Sequence, residues 1–310
     1  MPFSQQPSYS TYSTEKINLL KVNQSRSTAT NRDANIINAF PEGIMNKVTS
    51  EQDVWITKRP GFTEYIATMG GTEIRGVYYW RDQNKLYVAL DNSIKIYTAS
   101  SGALVGTLAA AFAGSTGAVG FTEFLYQNGT TKVVVSDGVS VQTIDSANTL
   151  VAAAAGFPTP HIPIPIFIDN LLFLAQATTA QIWQSLSNDP LDWTPLLAVN
   201  AEIAPDQLRS VCKLNNFIVA FGTSSIEYFY RQFTDAAASD LQRQESATKQ
   251  VGFVCGLALQ DNKAYFVGSI KGGTVDVFRL QDFTMTSLGH DGIRRYLSSY
   301  AADYVANIRG

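Results

Sequence analysis

The sequence predicts an all-β chain: a β-propeller built from repeated antiparallel sheets, preceded by an extended N-terminal arm. Two observations carry that reading. An Asn-centred turn, an apolar strand and then a second apolar strand come round five times, and the register marks Leu86, Val133, Leu171, Phe217 and Ala264 lie 47, 38, 46 and 47 residues apart. The turns between paired strands are rich in Asp, Asn, Ser and Gly, residues that accept positive φ or bond their own backbone. A period of about 40 to 50 residues made of short strands is the signature of propeller blades. One such sheet cannot bury both of its faces, so neighbours have to stack around a ring.

Along the chain, residues 1–65 read as the arm and first strands, and 66–310 as the blades, with five recognisable units and an incomplete sixth. The arm is dominated by Ser, Thr, Gln and Asn, with apolar islands at Ile17-Asn18-Leu19-Leu20-Lys21-Val22-Asn23 and Val54-Trp55-Ile56-Thr57 that suit strands. Its polarity argues against self-contained folding and for packing across the ring or onto a neighbouring subunit.

The first unit pairs Asn84–Leu90 with Ile94–Tyr97 across Asp91-Asn92-Ser93, and Leu108–Ala113 follows as a strand and turn. The second pairs Lys132–Val135 with Val139-Ser140-Val141 across Ser136-Asp137-Gly138. A Pro-rich connector, Pro158–Pro165, leads to the third, Asp169–Leu174 with Ile182-Trp183. The fourth pairs Asn215–Phe221 with Ile226–Phe229 across Gly222-Thr223-Ser224-Ser225. Arg231–Gln250 is an insertion with helix-favouring composition but little apolar periodicity, which suits a mobile loop at least as well as a helix. The fifth unit pairs Asp261–Val267 with Val275–Phe278 across Gly272-Gly273-Thr274. Asp291 then caps a short helix that puts Ile293, Tyr296 and Leu297 on one face. The chain stops at Gly310 where another blade would begin, so the expectation is a truncated chain whose ring is completed elsewhere.

Composition narrows the function. The chain is 45% apolar and 16% charged with a net charge of -3, which argues against a broad phosphate-neutralising face; the one basic pair, Arg294-Arg295, does not reverse that. A mildly acidic wall can surround DNA without adhering to it. No apolar run approaches the roughly 20 residues of a membrane span. Cys212 and Cys255 fall in different units and read as small buried side chains rather than a disulfide.

Catalytic constellations are weak. His161 in the Pro-rich connector and His290 in a turn have no second ligand or nucleophile at a useful spacing. Two facing carboxylates would suffice for glycoside hydrolysis, the enzymatic alternative, with Asp82, Asp137, Asp169, Glu227 and Asp261 as candidates. Asp82, Asp169 and Asp261, however, sit in the repeated turn, where a short carboxylate serves the backbone. No phosphate-binding glycine loop is present. Trp55, Trp80, Trp183 and Trp193 suit gap-filling between blades better than a sugar platform. No cofactor or metal site is expected.

Particular residues resemble a known family. Asn215–Phe229, read F-I-V-A-F-G-T-S-S-I-E-Y-F from Phe217, closely resembles a stretch of the packaged-DNA stabilisation proteins, the tail hub or nozzle proteins of short-tailed bacteriophages. Asn38-Ala39-Phe40-Pro41-Glu42, Lys58-Arg59-Pro60-Gly61-Phe62, Gln250-Val251-Gly252 and Ile293–Asp303 are similar to family elements in the same order. The resemblance implies a non-enzymatic virion protein made in the host cytoplasm: a homohexameric ring below the portal-adaptor rings that retains packaged DNA. It also implies a platform for the tail needle and tailspike or fibre proteins, with a passive lumen for double-stranded DNA. The assembly candidates are Phe40, Pro41, Glu42 and Gly43, with Arg59, Pro60 and Gly61. The alternative is a carbohydrate-binding or glycoside-hydrolysing propeller.

Overall fold

A computed structural model describes the backbone of 39–45 and 52–58, and residues 65–66, 69–153, 155–177, 179–201, 207–232, 240–270, 275–289, 293–294 and 297. They belong to two compact units, Met1–Thr63 with His290–Gly292, and Glu64–Gly289 with Ile293–Gly310.

In the first unit, β1 (Ala39–Met45) pairs antiparallel with β2 (Gln52–Lys58), Ala39 opposite Lys58 and Met45 opposite Gln52. The strand expected at Val54–Thr57 is therefore present within β2, and the arm contains a paired sheet rather than isolated extended chain. Pro41, which lacks a donor, is tolerated in such a strand because each has an unpaired edge. The island at 17–23 lies outside the described residues.

The second unit holds five four-stranded antiparallel sheets in chain order. The first is β3 (Ile74–Trp80), β4 (Lys85–Leu90), β5 (Ser93–Thr98) and β6 (Leu104–Leu108). The second is β7 (Gly120–Leu125), β8 (Thr131–Ser136), β9 (Val141–Ile144) and β10 (Leu150–Ala152). The third is β11 (Ile166–Ile168), β12 (Leu171–Ala175), β13 (Gln181–Leu186) and β14 (Asp189–Asn200). The fourth is β15 (Leu208–Leu214), β16 (Phe217–Gly222), β17 (Ile226–Arg231) and β18 (Leu241–Arg243). The fifth is β19 (Val251–Gln260), β20 (Lys263–Ile270), β21 (Val275–Gln281) and β22 (Thr284–Ser287). In every sheet the strands pair in sequence order. Every register mark falls on the second strand of its sheet, as the repeat requires for a propeller.

The turns explain why the period is visible. Asp169 and Asn170 both have positive φ, 45° and 63°, and close β11 onto β12 with Ile168 opposite Leu171. Asp261 and Asn262, at 49° and 55°, do the same between Gln260 and Lys263. Two left-handed residues in a two-residue loop give a turn whose twist matches that of the strands. Asn and Asp tolerate that conformation best among side-chain-bearing residues.

Alternation along the second strands divides the core into layers between successive sheets. In β12, Leu171, Phe173 and Ala175 pack toward the fourth sheet, while Leu172 and Leu174 pack toward the second. In β16, Ile218 and Ala220 face the third sheet and Val219 and Phe221 the fifth. The F-I-V-A-F run is thus an inner strand apolar on both faces. Trp80 lies in the layer between the first and second sheets, and Trp193 and Trp183 in the next, which is the gap-filling role expected of them. The side chain of Trp55 lies outside the description. Cys212 and Cys255 are buried in different layers and form no disulfide with each other.

Three local expectations are corrected. Val139 and Ser140 belong to a turn, because Asp137 Oδ1 accepts from both of their backbone N–H groups at 3.1 and 2.8 Å; the third strand begins at Val141. Within the insertion, Leu241–Arg243 forms the fourth strand of its sheet, with Leu241 opposite Arg231, and Glu245–Ala247 is a 3-10 turn. Past Leu108 the chain leaves the sheet at Ala110, φ 52°, and folds Ala111 and Phe112 inward.

The expected terminal helix is seen in part: Ile293, Arg294 and Leu297 are helical, and Ile293 and Leu297 cover Cys255 and Val267 on the outer face of the fifth sheet. Tyr296 lies outside the described residues.

Candidate functional site in the axial cavity

The first strands of all five sheets line one cavity of about 570 Å³: Tyr78 from β3, Phe121 and Glu123 from β7, Phe167 from β11, Lys213 from β15 and Leu257 from β19 are among its walls. Such convergence requires the sheets to be arranged radially.

Close backbone approach joins β7 and β19 to the loops of neighbouring sheets. A Cβ on Gly252 would sit 2.0 Å from the Thr223 carbonyl oxygen, and one on Gly120 would sit 2.0 Å from that of Pro163. Only glycine lets one sheet's backbone pass so near the next. The Gly of the Q-V-G element is thereby accounted for.

Phe121 and Glu123 project from the same face of β7, two residues apart. The Tyr78 and Phe121 rings stack with centroids 5.8 Å apart and planes 14° from parallel. The Tyr78 hydroxyl donates to Glu123 Oε1 at 2.6 Å. Burial, then that hydrogen bond and the carboxylate's charge, push the Tyr78 phenol well above its usual range, so it stays a donor. Lys213 Nζ donates to the Phe167 carbonyl at 3.0 Å.

The carboxylates considered for hydrolysis do not meet here. Glu123 is the sole carboxylate among the described residues lining the cavity. Glu227 is buried, and its Oε2 lies 2.8 Å from Arg243 Nε. The same guanidinium lies over the Phe229 ring and donates to the Asn200 carbonyl, joining the third and fourth sheets. The Glu of the I-E-Y-F motif is thus an internal anchor. Asp137 holds its turn, Asp169 and Asp261 lie at exposed turns, and Asp82 is exposed on the 3-10 helix Arg81–Gln83.

His161 is engaged at both ring nitrogens. Nδ1 lies 2.7 Å from the Pro158 carbonyl, which can only accept, so Nδ1 carries the proton and Nε2 accepts from the Ser136 hydroxyl at 2.6 Å. The pair ties the Pro-rich connector to β8. His290 lies outside the described residues, and no cluster of three or more potential metal ligands occurs among the described ones.

Of the assembly candidates, Phe40, Pro41, Glu42 and Gly43 lie on β1 opposite Thr57, Ile56, Trp55 and Val54. Arg59, Pro60 and Gly61 lie outside the described residues, immediately after Lys58, the partner of Ala39. No local pattern pointed to the axial residues, because Tyr78, Glu123, Phe167 and Lys213 sit on first strands far apart in the chain.

The family of bacteriophage P22 Gp10, beta-propeller, matches residues 16–309. The chain belongs to that family. It is a phage DNA-stabilisation propeller, and its role is that of a phage structural protein. No curated protein matches it at a significant level.

Solved structures give broader fold matches. The extracellular domain of a hybrid two-component system from B. thetaiotaomicron is 12% identical over 83% of this chain, with a TM-score of 0.47; the chain spans 34% of its length. A streptogramin B lyase is 11% identical, over 75% of this chain and 74% of its own, with a TM-score of 0.49. A catalytically inactive virginiamycin B lyase from Staphylococcus aureus, with quinupristin, is 11% identical over 81% of this chain and 84% of its own, at 0.46. Likenesses this distant carry no functional argument.

Proposed function

We propose that the protein is the tail hub, or nozzle, of a short-tailed bacteriophage. Copies assemble as a homohexameric ring on the portal-adaptor rings, hold the packaged genome in place and form part of the conduit through which it leaves. The tail needle and the tailspikes or fibres attach to this ring. The role is structural and non-enzymatic, and the protein is a virion component made in the host cytoplasm.

The observation that carries this reading is the family match across 16–309. In this reading the genome passes through the lumen enclosed by several copies. A net charge of -3 gives that lumen no general attraction for phosphates, so retention is a steric plug.

Negative-stain images of the protein mixed with virions lacking their tails test the proposal: sixfold rings at the portal vertex support it, and persistent monomers with no attachment refute it. The arm makes the finer prediction. Arg59→Ala should leave the monomer folded, judged by circular dichroism, while reducing ring attachment; unchanged DNA-filled particles would remove the arm from the interface.

A further inference from the structure

The axial cavity is unused by the structural role. Its volume, about 570 Å³, is that of a small-molecule site, and its walls are mostly aromatic and aliphatic with few polar groups. The arrangement of those polar groups restricts what would fit.

Glu123 is held in place by the Tyr78 hydroxyl on Oε1, and among the described residues nothing bonds Oε2. Glu123 is half-buried, and a guest that covered its carboxylate without pairing it would cost free energy. A neutral apolar guest would bury that charge further, and an anion would be repelled by it. A cation gains twice, from the carboxylate and from the π faces of the Tyr78–Phe121 stack beside it. Lys213 also lines the cavity, so a guest with a second positive charge would meet a like charge.

We propose that the axial cavity binds a small organic monocation, an ammonium ion carrying an aryl or alkyl body, with the cationic head on Glu123 and the body against Tyr78, Phe121 and Phe167. The recognition is that of an aromatic-walled amine pocket built from three different sheets.

The test is isothermal titration of the full chain with 2-phenylethylammonium chloride and, separately, with its neutral isostere 2-phenylethanol. The ammonium should bind at least about tenfold more tightly, and the advantage should shrink with added salt. Glu123→Gln should bring the ammonium down to the level of the alcohol with the circular dichroism unchanged. Tyr78→Phe, which keeps the ring and the carboxylate, should preserve the preference. Equal binding of the two probes, binding of neither, or an advantage that survives Glu123→Gln would overturn the proposal. Should Glu123→Gln fail to fold, the two probes on the unsubstituted chain decide the matter alone. The outcome is independent of ring assembly, which the imaging above addresses.

Discussion

The third sheet and the first sheet are built from the same four-strand plan, yet their outward appearance differs. In the third, β12 is buried along its whole length, because one face meets the second sheet and the other the fourth. In the first, the face turned away from the second sheet exposes Val77 at 57%, Tyr79 at 49% and Leu104 at 58%. The fifth sheet is intermediate: its outer face is covered by Ile293 and Leu297. An interior sheet is stabilised by two neighbours, whereas a terminal one depends on a cap or a partner, as in any repeat array.

Substitutions across these regions sharpen the contrast. Phe173→Ala removes a buried ring from the layer between the third and fourth sheets and should cost about 3–5 kcal/mol, read as a lowered denaturant midpoint. Gly252→Ala sets a methyl group against the Thr223 carbonyl, backbone against backbone, and should cost about 1–3 kcal/mol or more by the same measurement. If Gly252→Ala were neutral, the fourth and fifth sheets would not be as closely joined as described.

A pH test probes the connector between the second and third sheets. Burial lowers the His161 pKa below its usual 6.5, outweighing the Pro158 carbonyl and Asp137, which pull it upward. The unfolded chain then binds a proton more readily than the folded one. Its contribution is fully present above pH 6.5 and is lost as pH falls from there through the folded value. His161→Gln should flatten that part of the stability–pH curve; an identical slope would show that another group titrates.

The cap should matter less. Arg294 Nε meets the buried Asp276 Oδ2 at 3.0 Å, and Ser287 donates to the same oxygen at 2.6 Å. Because Arg294 is 38% exposed, solvent screens the pair, and Arg294→Ala should cost about 1 kcal/mol. The loss should appear as faster hydrogen exchange at Leu297 before global unfolding. Least of all, Val77→Ser on the exposed face of the first sheet should stay within about 0.5 kcal/mol. A large loss there would mean that this face is covered in solution, which analytical ultracentrifugation would reveal as self-association.

Much of the fold was legible because turn chemistry is local. Asp169-Asn170 and Asp261-Asn262 announce their loops through residues that accept positive φ, whatever surrounds them. The inner strands announce themselves through unbroken apolar runs. Val139 misled because a β-branched residue next to Val141 reads as strand, while Asp137 had already committed the backbone to a turn. Leu241–Arg243 was hidden because the strand is three residues long, and its identity comes from pairing with Phe229–Arg231. The cavity was invisible for a stronger reason: Glu123 and Tyr78 are 45 residues apart, and no spacing along one strand relates them.

From the residues alone came the repeat, the hairpins, the family and the acidic net charge, since each depends on neighbours in the chain or on a sum over it. The tertiary structure decided which glycines admit a neighbouring backbone, which carboxylate is locked under an arginine and which faces a cavity. Those outcomes follow from the radial stacking of sheets, which sets side chains from distant segments within hydrogen-bonding reach.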